Sequence, residues 1–207
     1  MIYKPLIFVH VPKAAGSSIT NYFNAKQEHY PAKYYKKNYP DKFENFLVFA
    51  CTRNPWARMV SAYFYQAEHG NSFLNKDYFL DKNPNFKIYL ENELKKHEKN
   101  NSLIKPVMDW ITEEDKVIVD YIINMHTIKK DFQLIRSLSR KKNNLEHLNK
   151  SQHGDYREYY KKDYLIQIVA EIFKKDIDYF KFDFEDRNKS DFERIINKEK
   201  IKKLISI

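Results

Sequence analysis

Two short apolar runs constrain this chain more than any other feature. Leu6 to Val11, "LIFVHV", is interrupted only by His10, and Phe46 to Thr52, "FLVFACT", stays apolar up to its last residue. Strict alternation would mark a strand with one wet face. Continuous runs of this length suit strands covered on both faces, the habit of parallel sheets. Pro12 ends the first run, and Ile19, Tyr22 and Phe23 then recur at helical spacing from Ser17 onward. After the second, Asn54-Pro55 reads as an N-cap and first helical residue. Trp56, Met59, Val60, Tyr63 and Phe64 follow on one helical stripe.

Further along, "VIVDYII" at 117–123 predicts a third strand and Thr127 to Leu138 a helix. Leu165, Ile168, Val169, Ile172 and Phe173 predict another helix. Between 71 and 85 the chain is polar and turn-rich, "FKIYLENELKKHEK" reads as helical, and "NNSLIKPVMDW" and 140–155 read as loops. A lysine-rich amphipathic helix is expected from Asn188 onward, peripheral to the domain within 185–207. With 207 residues and no internal repeat, the expectation is a single α/β domain over 1–207. Its central, mainly parallel sheet would be flanked by helices.

Lys and Arg total 37 against 28 Asp and Glu, a formal charge of +9. That balance favours an anionic partner, such as a phosphorylated cofactor, an acidic glycan, nucleic acid or a membrane surface. A solvated lysine-rich surface accounts for it equally. The lysines are spread along the chain rather than gathered on one basic face, which argues against a nucleic-acid-binding module. Cys51 is the single cysteine and sits inside an apolar run, so it reads as a buried thiol. It offers neither a disulfide framework nor a thiolate metal site, and no metal-ligand spacing occurs elsewhere. No run approaches a membrane span and no leader-like segment opens the chain. A cytoplasmic protein without a transmembrane segment is expected; peripheral membrane contact and oligomeric state stay open.

Both sharp motifs stand where a buried strand ends and a helix begins, the edge at which open α/β sheets bind ligands. In "PKAAGSS", residues 12–18, backbone N–H groups at a helix start favour an anion. Lys13 adds a point charge and Ser17 and Ser18 add hydroxyl donors. Gly16, one of only three glycines, would let the backbone come close to the ligand. An ordinary strand-to-helix turn with a serine cap fits the stretch as well. In "TRNPWARMVSAYFY", residues 52–65, Arg53 stands at the strand end and Ser61 lies off the apolar stripe of the helix. A guanidinium and a hydroxyl on one side can grip a phosphate. The plain alternative is a capped helix whose arginine pairs with a carboxylate.

"HVPKAAGSS" followed by "RNPWARMVSAYFY" resembles the two nucleotide-binding signatures of sulfotransferases that use 3′-phosphoadenosine 5′-phosphosulfate (PAPS). "HLNKS", "YREYY" and "VAEIFKKDIDYFKFDF" are similar to the closing segment of their carbohydrate-directed branch. The resemblance spans most of residues 5–184 and implies a P-loop NTPase-like sulfotransferase fold. It also implies that Lys13, Ala15, Gly16, Ser17 and Ser18 hold the 5′-phosphosulfate while Arg53 and Ser61 hold the 3′-phosphate, with no metal. The absence of a Gly-Lys-Ser/Thr ending then follows, because the lysine comes earlier, as Lys13.

The implied reaction is sulfuryl transfer to a hydroxyl, most plausibly of a saccharide, with Lys13 stabilising the leaving phosphate. For the base, His10 sits within the first strand and reads as a satisfied core histidine. His29, in "KQEHYPAKYY", falls between the two loops, where the carbohydrate branch places its catalytic histidine. Glu28 beside it is the fallback. Tyr30, Tyr34, Tyr35, Tyr63 and Tyr65 are candidates to stack on sugar faces. The resemblance breaks at 122–132, "IINMHTIKKDF", where Ile123, Asn124 and His126 replace a glycine, an arginine and a glutamate; Asn149, Lys150 and Ser151 match better. A small-molecule kinase with an atypical phosphate loop remains the enzymatic alternative, lacking an evident acidic magnesium ligand.

Overall fold

In the computed structural model, residues 1–69, 86–97, 103–146, 154–186 and 189–206 are described. They gather into two compact units made of interleaved segments. The first takes in Met1–Arg53, Val107–Asn149 and Phe192–Ile207, and the second Asn54–Pro106 and Lys150–Asp191. The expected segment 149–151 lies outside the described residues.

The first unit holds a four-stranded sheet. Strand β1 (Ile2–Tyr3) runs antiparallel to β2 (Leu6–Val9), and the loop after β2 leads into α1 (Gly16–Tyr22). Two short helices, α2 (Ala32–Asn38) and α3 (Pro40–Asn45), precede β3 (Leu47–Thr52). In the second unit, α4 (Pro55–His69) packs against α5 (Phe86–His97). The chain re-enters the first unit through α6 (Met108–Ile111) and a separate hairpin of β4 (Thr112–Glu113) and β5 (Lys116–Val117). Strand β6 (Tyr121–Asn124) then leads into α7 (Ile128–Ser139).

Strand order is β1-β2-β3-β6, with β2, β3 and β6 parallel. Every residue of β2, β3 and β6 is buried, which is why their sequences run apolar without alternation. Phe8 and Phe49 are register partners, and their rings stack at 5.0 Å. The fold is therefore mixed α/β with a mainly parallel central sheet flanked by helices. The third strand starts later than expected, at Tyr121. Glu114 and Asp115 both take left-handed φ, 49° and 59°, and turn the chain back into the β4–β5 hairpin first.

The second unit is helical: α4 and α5 with α8 (Asp163–Ile172) and α9 (Lys174–Phe180). Asn54 caps α4 as expected, its Oδ1 accepting from the Ala57 N–H at 3.2 Å. Arg58 is fully buried, donates to the Lys105 carbonyl at 3.0 Å and lies 5.4 Å over the Phe173 ring. Burial lowers its pKa to about 10, opposed by the charge of Asp176.

The C-terminal segment does more than carry the expected helix, α10 (Lys198–Ile205). Ile195 bridges antiparallel to Tyr121, the Ile122 N–H donates to the Arg194 carbonyl at 2.9 Å, and the Ile196 N–H donates to the Asp120 carbonyl at 2.9 Å. The segment therefore straps the edge of β6. Two buried carboxylates fasten it. Asp120 accepts from the Val48 N–H at 2.8 Å, Asn197 Nδ2 at 3.1 Å and Lys200 Nζ at 2.8 Å. Asp131 accepts from Arg194 Nε at 3.0 Å, the Asn124 N–H at 3.0 Å and Thr127 Oγ1 at 2.8 Å. Removing one member of a buried pair strands the other, at a cost of about 3–5 kcal/mol. Asp120→Ala should lower unfolding free energy in urea by about that amount. Arg194→Ala leaves the buried Asp131 carboxylate with only the Asn124 N–H and the Thr127 hydroxyl and should also destabilise the protein; unchanged stability in both variants would contradict this account of the strap.

Candidate active site

The parallel strands end on one edge, and three segments of the first unit leave from it: residues 10–15 after β2, Arg53 after β3, and a 3-10 turn at Met125–Thr127 after β6. The first is tightly wound. Lys13 and Ala15 both adopt left-handed φ, 63° and 61°, a conformation that costs a residue with a Cβ and persists only where surroundings enforce it. Arg53 Nη1 donates to the Lys13 carbonyl at 3.2 Å, tying the second exit to the first. Lys13, Ala15 and Ser17 are half-buried, and Gly16 and Ser18 are buried. Thr20 Oγ1 donates back to the Gly16 and Ser17 carbonyls at 3.0 and 3.2 Å.

Gly16 has a further reason to lack a side chain. A Cβ there would lie 1.6 Å from His10 Nε2 and 1.9 Å from His10 Cδ2. The close neighbour is the His10 imidazole, and the glycine has no left-handed φ to accommodate.

His10 is 3% exposed, as expected of a core histidine, but its Nδ1 has no hydrogen-bond partner among the described residues. Burial lowers its pKa to about 3; His29, the Met1 α-amine and Lys13 push the same way. Its ring stacks on Phe8 at 5.6 Å and 20° and lies 4.1 Å from the ring of His29 at 41°.

His29 lies in the stretch between α1 and α2, which has no regular structure over 25–31. Gln27 Nε2 donates to Ser17 Oγ at 3.4 Å, so this stretch meets the loop. His29 Nδ1 is 3.1 Å from the His10 carbonyl oxygen. A carbonyl only accepts, so Nδ1 carries a hydrogen, and in the neutral ring the lone pair is on Nε2. The residue is exposed, and its Nε2 has no partner among the described residues. Trp110 stands edge-on to the ring at 6.4 Å. Glu28 points elsewhere, 3.9 Å from the Met1 α-amine.

Among the tyrosines, Tyr35 and Tyr63 are buried, at 1% exposure each, and cannot meet a sugar face. Tyr30, beside His29, is 41% exposed and stacks on Tyr34 at 4.0 Å and 14°. The structure thus gathers Lys13, Ala15, Gly16, Ser17, Ser18, Arg53 and His29 in the first unit. Ser61 belongs to the second, on α4, where it is 6% exposed and its hydroxyl makes no hydrogen bond among the described residues. At 122–132, Asn124 Oδ1 accepts from the His126 N–H at 2.9 Å and caps the turn. Sequence reasoning missed His10 and Trp110 as neighbours of His29. An ionisable residue interrupting an apolar run directly before the loop was the available signal for the first.

Among the described residues, no group of His, Cys, Asp or Glu could hold a metal ion, and no helix is long and apolar enough to cross a membrane. The donor set at this edge, an ammonium, a guanidinium and hydroxyls around a loop of left-handed backbone, fits a phosphorylated anion. A family model described as the sulfotransferase family matches residues 3–183. No curated protein and no solved structure matches the chain.

Two outcomes follow from His10. Gly16→Ala should destabilise the protein by about 1–3 kcal/mol through overpacking. Combined with His10→Ala, the pair should cost less than the sum of the two single changes, measured by urea unfolding. The unfolded imidazole titrates near 6.5 and the folded one near 3, so stability present above pH 6.5 drains away as pH falls toward 3. The slope from this one group is at most about 1.4 kcal/mol per pH unit. His10→Phe should flatten it, and an unchanged slope in that variant would show that other groups cause the loss.

Proposed function

The chain belongs to the sulfotransferase family and is a PAPS-dependent enzyme, and on that premise we propose that it sulfates a hydroxyl of a saccharide with His29 as base. The observation that carries the reading is the His29 ring itself: Nδ1–H committed to the His10 carbonyl, Nε2 open to solvent. When bound, PAPS supplies a sulfuryl group on its 5′-phosphate. His29 Nε2 takes the proton of the acceptor hydroxyl as the new O–S bond forms. Lys13 would stabilise, with its ammonium, the charge that develops on the leaving phosphate. Ala15, Gly16, Ser17 and Ser18 would line the phosphosulfate, and Arg53 would bind the 3′-phosphate. Exposed Tyr30, stacked on Tyr34 and next in sequence to the base, offers an aromatic face for a sugar ring.

Incubation with 35S-labelled PAPS and a panel of chito-, cello- and uronate-containing oligosaccharides tests this reading. Label should enter a saccharide, and His29→Ala should lower turnover about 10²–10⁴-fold while adenosine 3′,5′-diphosphate still stabilises the protein. Lys13→Ala should lower turnover about 10²–10³-fold. Arg53→Ala should lose most of the diphosphate stabilisation, which at about 100 times Kd amounts to about 2.7 kcal/mol. Label on none of the saccharides would overturn the acceptor class, and full turnover in His29→Ala would overturn the base.

A further inference from the structure

We propose that His10 is the positioning residue for the base: its carbonyl and its ring together hold the His29 imidazole with Nδ1–H inward and Nε2 toward the acceptor. This rests on the reading of His29 as base. His29 comes from an irregular stretch and is exposed, so its own segment gives it little rigidity. What orients it is the 3.1 Å contact to the His10 carbonyl and the 4.1 Å approach of the His10 ring. His10 is itself immobilised, 3% exposed between Phe8 and the bare face of Gly16. One residue therefore links the anion-binding loop to the base.

The imidazole with its bare Nδ1 is an expensive choice for a core site, since a buried nitrogen without a partner is disfavoured relative to an apolar ring. Its chemistry suits the reaction, however. A ring that stays neutral does not repel the imidazolium formed when His29 accepts a proton 4.1 Å away. A proton relay between the two rings is not what the contacts describe. The Nδ1 of His29 meets the main chain of His10, and the His10 Nδ1 has no hydrogen-bond partner among the described residues.

Side-chain 15N–1H NMR on the whole protein tests this without an acceptor. In wild type, His29 should show the Nδ1–H tautomer, and His10 should stay neutral while His29 takes up its proton. In His10→Ala the His29 tautomer signal should become mixed, whereas His10→Phe, which keeps a neutral ring, should restore it. Turnover on a labelled saccharide should fall in parallel in His10→Ala, about 10²-fold for a base displaced by about 1 Å. The KM for PAPS and the affinity for adenosine 3′,5′-diphosphate should stay near wild type. In a His29→Ala background, His10→Ala should cost nothing more. An Nε2–H tautomer in wild type, or protonation of His10 before His29, would overturn the inference even if neither variant folds. So would His10→Ala losing diphosphate affinity with the His29 tautomer intact, the mark of a wedge for the loop alone. Full turnover in His29→Ala removes the base and this inference together. An inactive His29→Ala beside a fully active His10→Ala with an unchanged tautomer removes only the inference.

Discussion

Parallel pairing of Val9 with Ala50 and of Thr52 with Asn124 sets where everything else in the first unit can be. Because the three strands are buried on both faces, a slip of one residue would break both layers of packing at once, and the register is correspondingly strict. Their ends therefore fall at fixed places along one edge. The loop after β2, Arg53 after β3 and the turn after β6 inherit those positions. The bond from Arg53 to the Lys13 carbonyl is a consequence: two neighbouring strands that end side by side bring a donor and an acceptor within reach across 40 residues of sequence. At this edge main-chain groups leave the sheet ladder, and the chain uses arginine and capping side chains to satisfy them.

The long buried elements were legible because burial on both faces leaves an unbroken apolar run, and β2, β3 and the capped α4 stand near where "LIFV", "LVFACT" and "NPW" put them. The missing pieces share a physical cause. Strands of two residues and helices of six or seven, such as β1, α2 and α3, span at most about two repeats of their period, too few for a pattern to show. The β4–β5 turn uses Glu114 and Asp115 in left-handed conformation, where Asn-Gly would have been readable. The strap over β6 depends on main-chain bonds and on Asp120 and Asp131, whose partners are distant in sequence. Such contacts leave no periodicity. Even the shortened third strand follows from Asp120, whose carboxylate takes the Val48 N–H one residue before β6 begins.

At the candidate site, the structure adds contacts that the residue types alone did not indicate. Gly16 stood out as a scarce glycine in a phosphate-loop rhythm, yet what crowds it is the His10 ring. His10 looked like a core histidine, and burial was the correct half of that reading. Its bare Nδ1 and its contact with His29 depend on the path of residues 25–31, which carry no regular structure and hence no pattern to read. His29 was recognisable by its place between the motifs, whereas its tautomer required seeing which atom the Nδ1 meets.

Two imidazoles 4.1 Å apart in a chain with an excess of positive charge pose a problem that burial resolves. Were both protonated, their repulsion at this separation would be about 4 kcal/mol for an effective dielectric constant near 20. Lys13 would add to it. On the proposal that His29 is the base, the second ring must be kept from competing for the proton. Desolvation does this for His10 by lowering its pKa to about 3, at a cost in stability that grows in acid. An apolar ring would avoid that cost, and a charged one would oppose the base. A buried neutral imidazole has an intermediate energy and is compact enough to lie against Gly16 while its own carbonyl holds the neighbouring ring. The geometry thus ties the scarce glycine, the interrupted strand and the exposed histidine into one arrangement in which each residue limits what the others can be.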